Sequence, residues 1–360
     1  MQDRLAELQA AMAAAETELV ALGPGPHMQW VLGFHPMPDE RPCLLLVTPA
    51  DAGVLIPALN AAEMRAKVDL PMWTWADADG PQAALAAALD ALGARDARRV
   101  ALDDAMRADF ALLAMRALPG AEPRLAGALM GPLRMVKDAA EQDGLRANAA
   151  IADAAMEAVF AAIAPGVTEA ELAEAARAVF RERGARPLFT IVGAGPNGAF
   201  PHHHTGAARL REGDAVVVDI GARQGAVSSD ITRMAAVGRP PEGYAEVHAV
   251  VEDAVQAALA AARPGARAGD VDRAARAVVE AAGHGPQFLH RTGHGMGLEP
   301  HEPPWIAAGS DTVLTPGMVF TIEPGIYLEG RFGIRLEEVV ILREDGPEVL
   351  SRLSRAVRAV

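Results

Sequence analysis

The chain has 360 residues, of which 51% are hydrophobic and 22% charged, and a net charge of −14. That apolar content supports a sizeable core and excludes disorder as the main state. The acidic balance argues against a nucleic-acid partner, because phosphate binding needs a basic face.

The single cysteine, Cys43, excludes an internal disulfide framework and a cysteine-based zinc knuckle, and reads as a small buried apolar residue. No apolar run approaches the ~20 residues needed to cross a bilayer. Asp3, Arg4, Glu7, Glu16 and Glu18 interrupt any leader-like segment near the start. The expectation is a cytoplasmic protein with no membrane partner.

Length suggests about two domains, at roughly 150 residues each. Asp3 to Leu22 reads as an amphipathic helix, closed by Gly23-Pro24-Gly25-Pro26. Leu44 to Val47 reads as a buried strand, and Pro81 to Leu92 as a helix with proline in its first turn. Arg99 to Leu102 and Ala108 to Leu118 repeat the strand–helix alternation. This is an α/β pattern. It closes near Pro132, so residues 1–132 are expected to form one domain and 133–360 a second.

The second part carries an internal repeat. Pro165-Gly166 and Ala175-Ala176-Arg177-Ala178-Val179, ending at Gly184, recur as Pro264-Gly265 and Ala274-Ala275-Arg276-Ala277-Val278, ending at Gly283, at a constant offset of 99 residues. Between the copies, Gly193 to Gly198 fits G-x-G-x-x-G after the strand-like Leu188 to Val192. A dinucleotide site would require a helix to start at the third glycine. Phe200-Pro201-His202-His203-His204 follows instead, without helical periodicity. The better reading is a flexible loop presenting Phe200 and His202 to a site.

A second echo concerns acids. Gly213, Asp219 and Gly221 match Gly317, Glu323 and Gly325 in spacing, and in each copy an apolar strand delivers the acid at its end. A further strand follows each with its own acid, Asp230 in Ser229 to Arg233 and Glu337 in Ile334 to Val340. Two similar α+β halves are expected, each with two helices on an antiparallel sheet and each giving two acids to one centre. Ionised carboxylates are rarely buried unless paired or metal-bound. Two unit charges about 4 Å apart repel by roughly 4 kcal/mol at an effective dielectric of 20. Four such acids suit two divalent cations. His294, in the glycine-rich turn Thr292 to Gly297, completes a ligand set of Asp219, Asp230, His294, Glu323 and Glu337, with His301 seven residues further on. Oxygen-rich ligation with one nitrogen suits Mn²⁺ and also admits Co²⁺, Fe²⁺ and Zn²⁺.

These five residues, in this order and within these motifs, resemble the pita-bread dinuclear metallopeptidases, the family of methionine aminopeptidase, aminopeptidase P, prolidase and creatinase. The resemblance implies a pita-bread catalytic domain of two pseudo-symmetric α+β halves, preceded by an α/β creatinase-like domain with Trp30 to Phe34 and Glu40-Arg41-Pro42 as landmarks. It implies that Asp219 chelates one ion, that His294 and Glu323 hold the other, and that Asp230 and Glu337 bridge both. The nucleophile would be a hydroxide between ions about 3.5–4 Å apart. Glu323 would double as proton shuttle, His202 and His301 would bind the scissile carbonyl and its oxyanion, and His290 would line the pocket. Arg335, two residues before Glu337, is expected to orient that acid. His203 and His204 read as solvated loop residues.

The N-terminal domain separates the chain from methionine aminopeptidases, and the intact ligand set separates it from creatinase-like members. That leaves Xaa-Pro peptidases acting on small proline-containing peptides. Prolidase is the first reading, aminopeptidase P the alternative and a non-catalytic peptide binder a remote third. Some prolidases carry an arginine where this chain has Trp305; a substitute carboxylate clamp could be Arg41, unless Asp39 or Glu40 pairs with it. Family habit implies a homodimer.

Overall fold

Leu19 to Leu22 are four consecutive apolar residues, all buried, and they organise the first of two units. The structure is a computed structural model and describes residues 2–360. The expected helix over Asp3–Leu22 is shorter: α1 spans Gln2–Ala14, the backbone turns at Glu16 with φ 51°, and Leu19–Leu22 form strand β1. An unbroken apolar run suits a strand covered on both faces better than a helix with one wet side.

Around β1 lie α2 (Pro26–Leu32), β2 (Leu44–Val47), β3 (Ala52–Pro57), α3 (Ala61–Lys67), β4 (Met72–Trp75), α4 (Gln82–Ala91), β5 (Arg99–Leu102), α5 (Ala108–Ala117), β6 (Glu122–Leu125) and α6 (Gly127–Met135). The six strands form one mixed sheet in the order β4-β3-β2-β1-β5-β6, with β1 antiparallel to β2 and parallel to β5. The chain does not break at Pro132, which lies inside α6. The two units, Met1–Arg134 and Met135–Val360, part near the end of that helix.

The second unit repeats one plan twice. The first half comprises α7 (Ala139–Ala162), α8 (Glu169–Glu182), β7 (Arg186–Ala194), β8 (Ala215–Gln224), β9 (Val227–Ser228) and β10 (Ile231–Ala236). The second comprises α9 (Tyr244–Ala261), α10 (Ala268–Ala281), β11 (Gly293–Gly295), β12 (Glu302–Ile306), β13 (Val319–Ile322), β14 (Gly325–Leu328), β15 (Phe332–Arg335), β16 (Glu338–Arg343), β17 (Gly346–Val349) and β18 (Arg358–Ala359). Helices α8 and α10 stand in the offset read from the sequence. Strands β7, β8 and β10 are antiparallel, with β18 added parallel to β10; the other sheet runs β12-β11-β13-β16-β17.

Each half has its own core. Val159, Phe160, Leu172 and Phe180 from α7 and α8 pack on Val216, Val218 and Ile231, while Val251, Val255, Val271 and Val279 from α9 and α10 pack on Phe320, Ile322 and Val340. Burying each such side chain is worth about 1.5–3 kcal/mol. Reciprocal capping boxes start α7 (Asp138 with Glu141) and α8 (Thr168 with Glu171). Between Ala194 and Phe200 runs a 3₁₀ turn rather than a helix, so the glycine motif there lacks the geometry of a dinucleotide site.

Candidate metal centre

The antiparallel register of β8 and β10 sets Asp219 opposite Thr232. Asp219 is buried within β8, and Asp230 stands just before β10 with a side chain 6% exposed. In the other half, Glu323 follows β13 directly, Glu337 sits buried between β15 and β16, and His294 is the buried centre of β11. The expected glycine-rich turn is therefore a strand. Its glycines serve the sheet: a Cβ on Gly293 would strike the Thr321 carbonyl, and one on Gly295 the Pro303 carbonyl.

The five side chains converge. His294, Glu323 and Glu337 bring donor atoms within 4.8 Å of one another, as do Asp219, Asp230 and Glu337. Asp230 also groups in this way with His294 and His301. Glu337 thus belongs to two adjoining triads, and Asp230 reaches groups on both sides. His294 Nδ1 lies 3.1 Å from the Gly295 carbonyl, and its Nε2, 3.2 Å from Glu323 and 3.9 Å from Asp230, faces the acids.

A second layer fixes these donors. Thr321 Oγ1 accepts from the His294 backbone N–H at 3.0 Å and donates to Glu323 at 3.1 Å. Thr232 Oγ1 donates to Glu337 at 2.7 Å. Arg335 differs from the expectation: its guanidinium pairs directly with Asp219 at 2.5 Å and reaches Glu337 only through Thr232, at 3.1 Å. Its Nη1 donates to Tyr327 Oη at 2.8 Å and to the Pro201 carbonyl at 3.4 Å, and Tyr327 bonds His290 Nε2 at 2.8 Å. Because His290 Nδ1 donates to the Arg291 carbonyl, Nε2 accepts, and the tyrosine donates to it. On the far side of Glu337, the buried Arg233 holds its backbone carbonyl and Glu338.

Burial raises the pKa of Asp219, and it raises Asp230 and Glu337 well above the carboxylate range, with repulsion among the acids adding to the shift. Glu323 goes the other way. Burial opposes its charge, but the hydrogen bond and charge of His294 prevail and hold it at about 2. Loss of water and the neighbouring His294 bring His301 down to about 4. Asp219 Oδ1 and Glu337 Oε1 are buried with no hydrogen-bond partner among the described residues. Of the four acids only Asp219 has a guanidinium in direct contact, that of Arg335, and two of their oxygens lack a donor. Two divalent cations would meet both deficits, so the donor set fits such ions.

The acids open on a cavity of about 790 Å³, lined also by Phe189, Ile191, His202, His290, Arg291, His301 and Arg335. Phe200 is 53% exposed, and the apolar wall comes from Phe189 and Ile191 in its place. The loop bearing His202 is pinned by Glu169, which is fully buried and accepts from Ala194 N, Asn197 Nδ2 and Gly206 N. His203 is not a solvated loop residue: its Nε2 lies 2.9 Å from Glu169, whereas His204 is exposed. Glu302, beside His301, forms a buried 2.6 Å ion pair with Lys137. In the first unit, Arg41 pairs with Asp77 at 2.9 Å, Glu40 at 3.0 Å and Asp39 at 3.5 Å. Thr232, Thr321, Tyr327 and Glu169 were not singled out from the sequence. Their only signals were nearness to acids in strands and, for Glu169, a carboxylate in the first turn of a helix.

Comparison with known proteins points the same way. The model of metallopeptidase family M24 matches residues 143–344, and that of the creatinase/prolidase N-terminal domain matches residues 4–136. The probable dipeptidase PepE of Mycobacterium tuberculosis is 42% identical over 95% of this chain and 92% of its own. An Xaa-Pro dipeptidase of Pyrococcus furiosus is 39% identical over 62% of this chain and 65% of its own. The crystal structure of a dipeptidase from Pyrococcus horikoshii superposes with a TM-score of 0.93 at 33% identity, covering 99% of this chain and 100% of that one.

Proposed function

The chain belongs to metallopeptidase family M24, and from that premise we propose that it hydrolyses the imide bond of Xaa-Pro dipeptides with two divalent ions. The observation that carries this reading is the convergence of five ligand-type side chains, two with unpartnered buried oxygens, in a cavity sized for a small peptide. An Xaa-Pro bond has no N–H. A site that works on the carbonyl and protonates the departing nitrogen needs none.

Asp219 would hold one ion, His294 and Glu323 the other, and Asp230 and Glu337 both. When bound, the ions supply Lewis acidity at the carbonyl and acidify the attacking water. Glu323, ionised at neutral pH, takes up the proton of that water and returns it to the proline nitrogen as the C–N bond breaks. His301, neutral at pH 7, donates an N–H to the developing oxyanion together with His202. His290, with its Nδ1 proton committed to a backbone carbonyl, lines the pocket.

Manganese is the ion we favour among Mn²⁺, Co²⁺, Fe²⁺ and Zn²⁺, on the preponderance of oxygen donors. Two finer parts of the reading, a cytoplasmic location and a homodimer, have the sequence expectation alone behind them. The test is a comparison of Ala-Pro with Ala-Pro-Ala on Mn²⁺-loaded protein, with metal content measured. Two ions per chain and a higher kcat/KM on the dipeptide are expected. Faster cleavage of the tripeptide would make the chain an aminopeptidase, and binding without turnover would make it a peptide binder.

A further inference from the structure

A dipeptide differs from every longer peptide in where its negative charge lies. The C-terminal carboxylate stands three bonds, about 4 Å, from the scissile carbon. Inside a cavity that already holds four acids, an unpaired carboxylate is costly. A dipeptidase therefore needs a cation at that distance, and the cavity lining contains two arginines.

Arg335 is committed, with each of its three nitrogens bonded: Nε to Thr232, Nη1 to Tyr327 and the Pro201 carbonyl, and Nη2 to Asp219. Arg291 is not. Its side chain is half-buried in the cavity wall, and among the described residues it has no ion pair and no hydrogen-bond acceptor. Burial lowers its pKa and outweighs the opposing charge of Glu323, which lies beyond ion-pair distance. Its one aromatic partner is Trp305, with the guanidinium carbon 4.3 Å from the ring centroid. Stacking occupies the flat face and leaves the in-plane N–H fork for an oxyanion.

The pair is fixed next to the ligands. Trp305 on β12 stands in register with His294 on β11. Arg291 adjoins Thr292, whose N–H and hydroxyl both donate to the buried Asp272, at 3.0 and 2.8 Å. The cation thus has a rigid base and a rigid backrest. Arg41, the clamp expected from the sequence, is already neutralised by three acids of its own unit.

We propose that Arg291, seated on Trp305, binds the C-terminal carboxylate of the dipeptide and so sets the peptide length this cavity prefers. The proposal rests on the Xaa-Pro dipeptidase reading. A longer peptide presents a neutral amide at that point and forgoes the interaction.

The experiment uses Mn²⁺-loaded full-length protein with Ala-Pro and its carboxyl-blocked counterpart, Ala-Pro-amide. R291Q is expected to raise KM for Ala-Pro about 10- to 100-fold, the range for a lost charge-assisted pair. Its kcat/KM on the amide should stay within about threefold of the parent, because uniform binding is what has been removed. R291K should fall between, since a point charge lacks the fork. W305A should move the same substrate ratio in the same direction by less, as a positioning residue would. Should R291Q misfold, judged by thermal midpoint and metal content, R291K and W305A decide the ratio. An equal loss on both substrates, or no loss on Ala-Pro, overturns the clamp. If the parent itself does not cleave Ala-Pro, the dipeptidase reading falls and the clamp with it; if the parent cleaves it and the ratio is unmoved in the variants, only the clamp falls.

Discussion

Asp230 shows how one carboxylate serves two opposite ends. Without metal it is a liability, because burial and the neighbouring Glu337, Asp219 and Glu323 raise its pKa well above the usual range. A raised folded pKa gives stability that is fully present below the unfolded value, about 4, and that is lost as pH rises through the folded value. D230N removes that loss. In chelator at pH 8 the variant is expected to be more stable than the parent, with a higher thermal midpoint. At pH 4 the gap should close. With Mn²⁺ present the order should reverse, and activity should nearly vanish. Thermal midpoints at the two pH values check this, and equal midpoints in chelator at pH 8 would contradict it. Tyr327 tests the second layer. It passes a hydrogen bond from Arg335 to His290, both at 2.8 Å. Tyr327→Phe should lower kcat about 10- to 100-fold, the effect of losing a buried bond to a charged group, while leaving two ions per chain. Loss of metal in that variant would move the role of Tyr327 from the substrate side to the ligand side.

At the scale of elements, helices hold the ligand strands at a distance. Asn148 on α7 is buried and donates to the carbonyls of Gln224 and Val227, at 3.1 and 3.0 Å, across the turn that leads to Asp230. Asn148→Leu removes both bonds, of which the one to Val227 is buried, at a cost of about 1–3 kcal/mol, and is expected to weaken metal affinity. Thr168→Ala removes the cap of α8, costs about 1 kcal/mol and should leave metal affinity unchanged. Isothermal titration and thermal melts separate the two; equal metal affinity in both variants would deny α7 its bracing role.

These elements also mark what the sequence could tell. Asp219, Asp230, Glu323 and Glu337 were legible because acids within or beside apolar strands violate the ordinary cost of burial. The helices α8 and α10 were legible because a fixed offset repeats the Pro-Gly before them, the Ala-Ala-Arg-Ala-Val run within them and the glycine after them. The strand nature of Leu19–Leu22 was hidden, because an alanine-rich helix runs up to it and no glycine or proline separates the two. Arg335 reaches Glu337 through Thr232, but its direct pair with Asp219 was hidden, because only the pairing of distant strands brings that acid to it. Arg291 was passed over because its partner Trp305 lies on another strand, and no local pattern announces a stack.

For the whole molecule, every proposed ligand lies in the unit Met135–Val360 and none in Met1–Arg134. Ions that bind the folded form alone stabilise it by about 4 kcal/mol at a thousandfold excess over Kd. Hydrogen exchange in the presence of Mn²⁺ should therefore slow across β8, β10, β11 and β13. It should leave the sheet of the first unit unchanged against a chelated control. Slowing in the first unit would instead point to an ion on its own group of His27, Asp103 and Asp104, whose donor atoms also lie within 4.8 Å of one another.

The division of ligands between two halves has a consequence for biosynthesis. Asp219 and Asp230 leave the ribosome well before His294, Glu323 and Glu337, and neither set makes a cage by itself. On the proposed ligand set, a polypeptide that stops short of Glu337 is expected to bind no pair of ions and to leave peptides uncut. Hydrolytic competence is then expected only once Glu337 has been made, so cation capture would report that both halves are present.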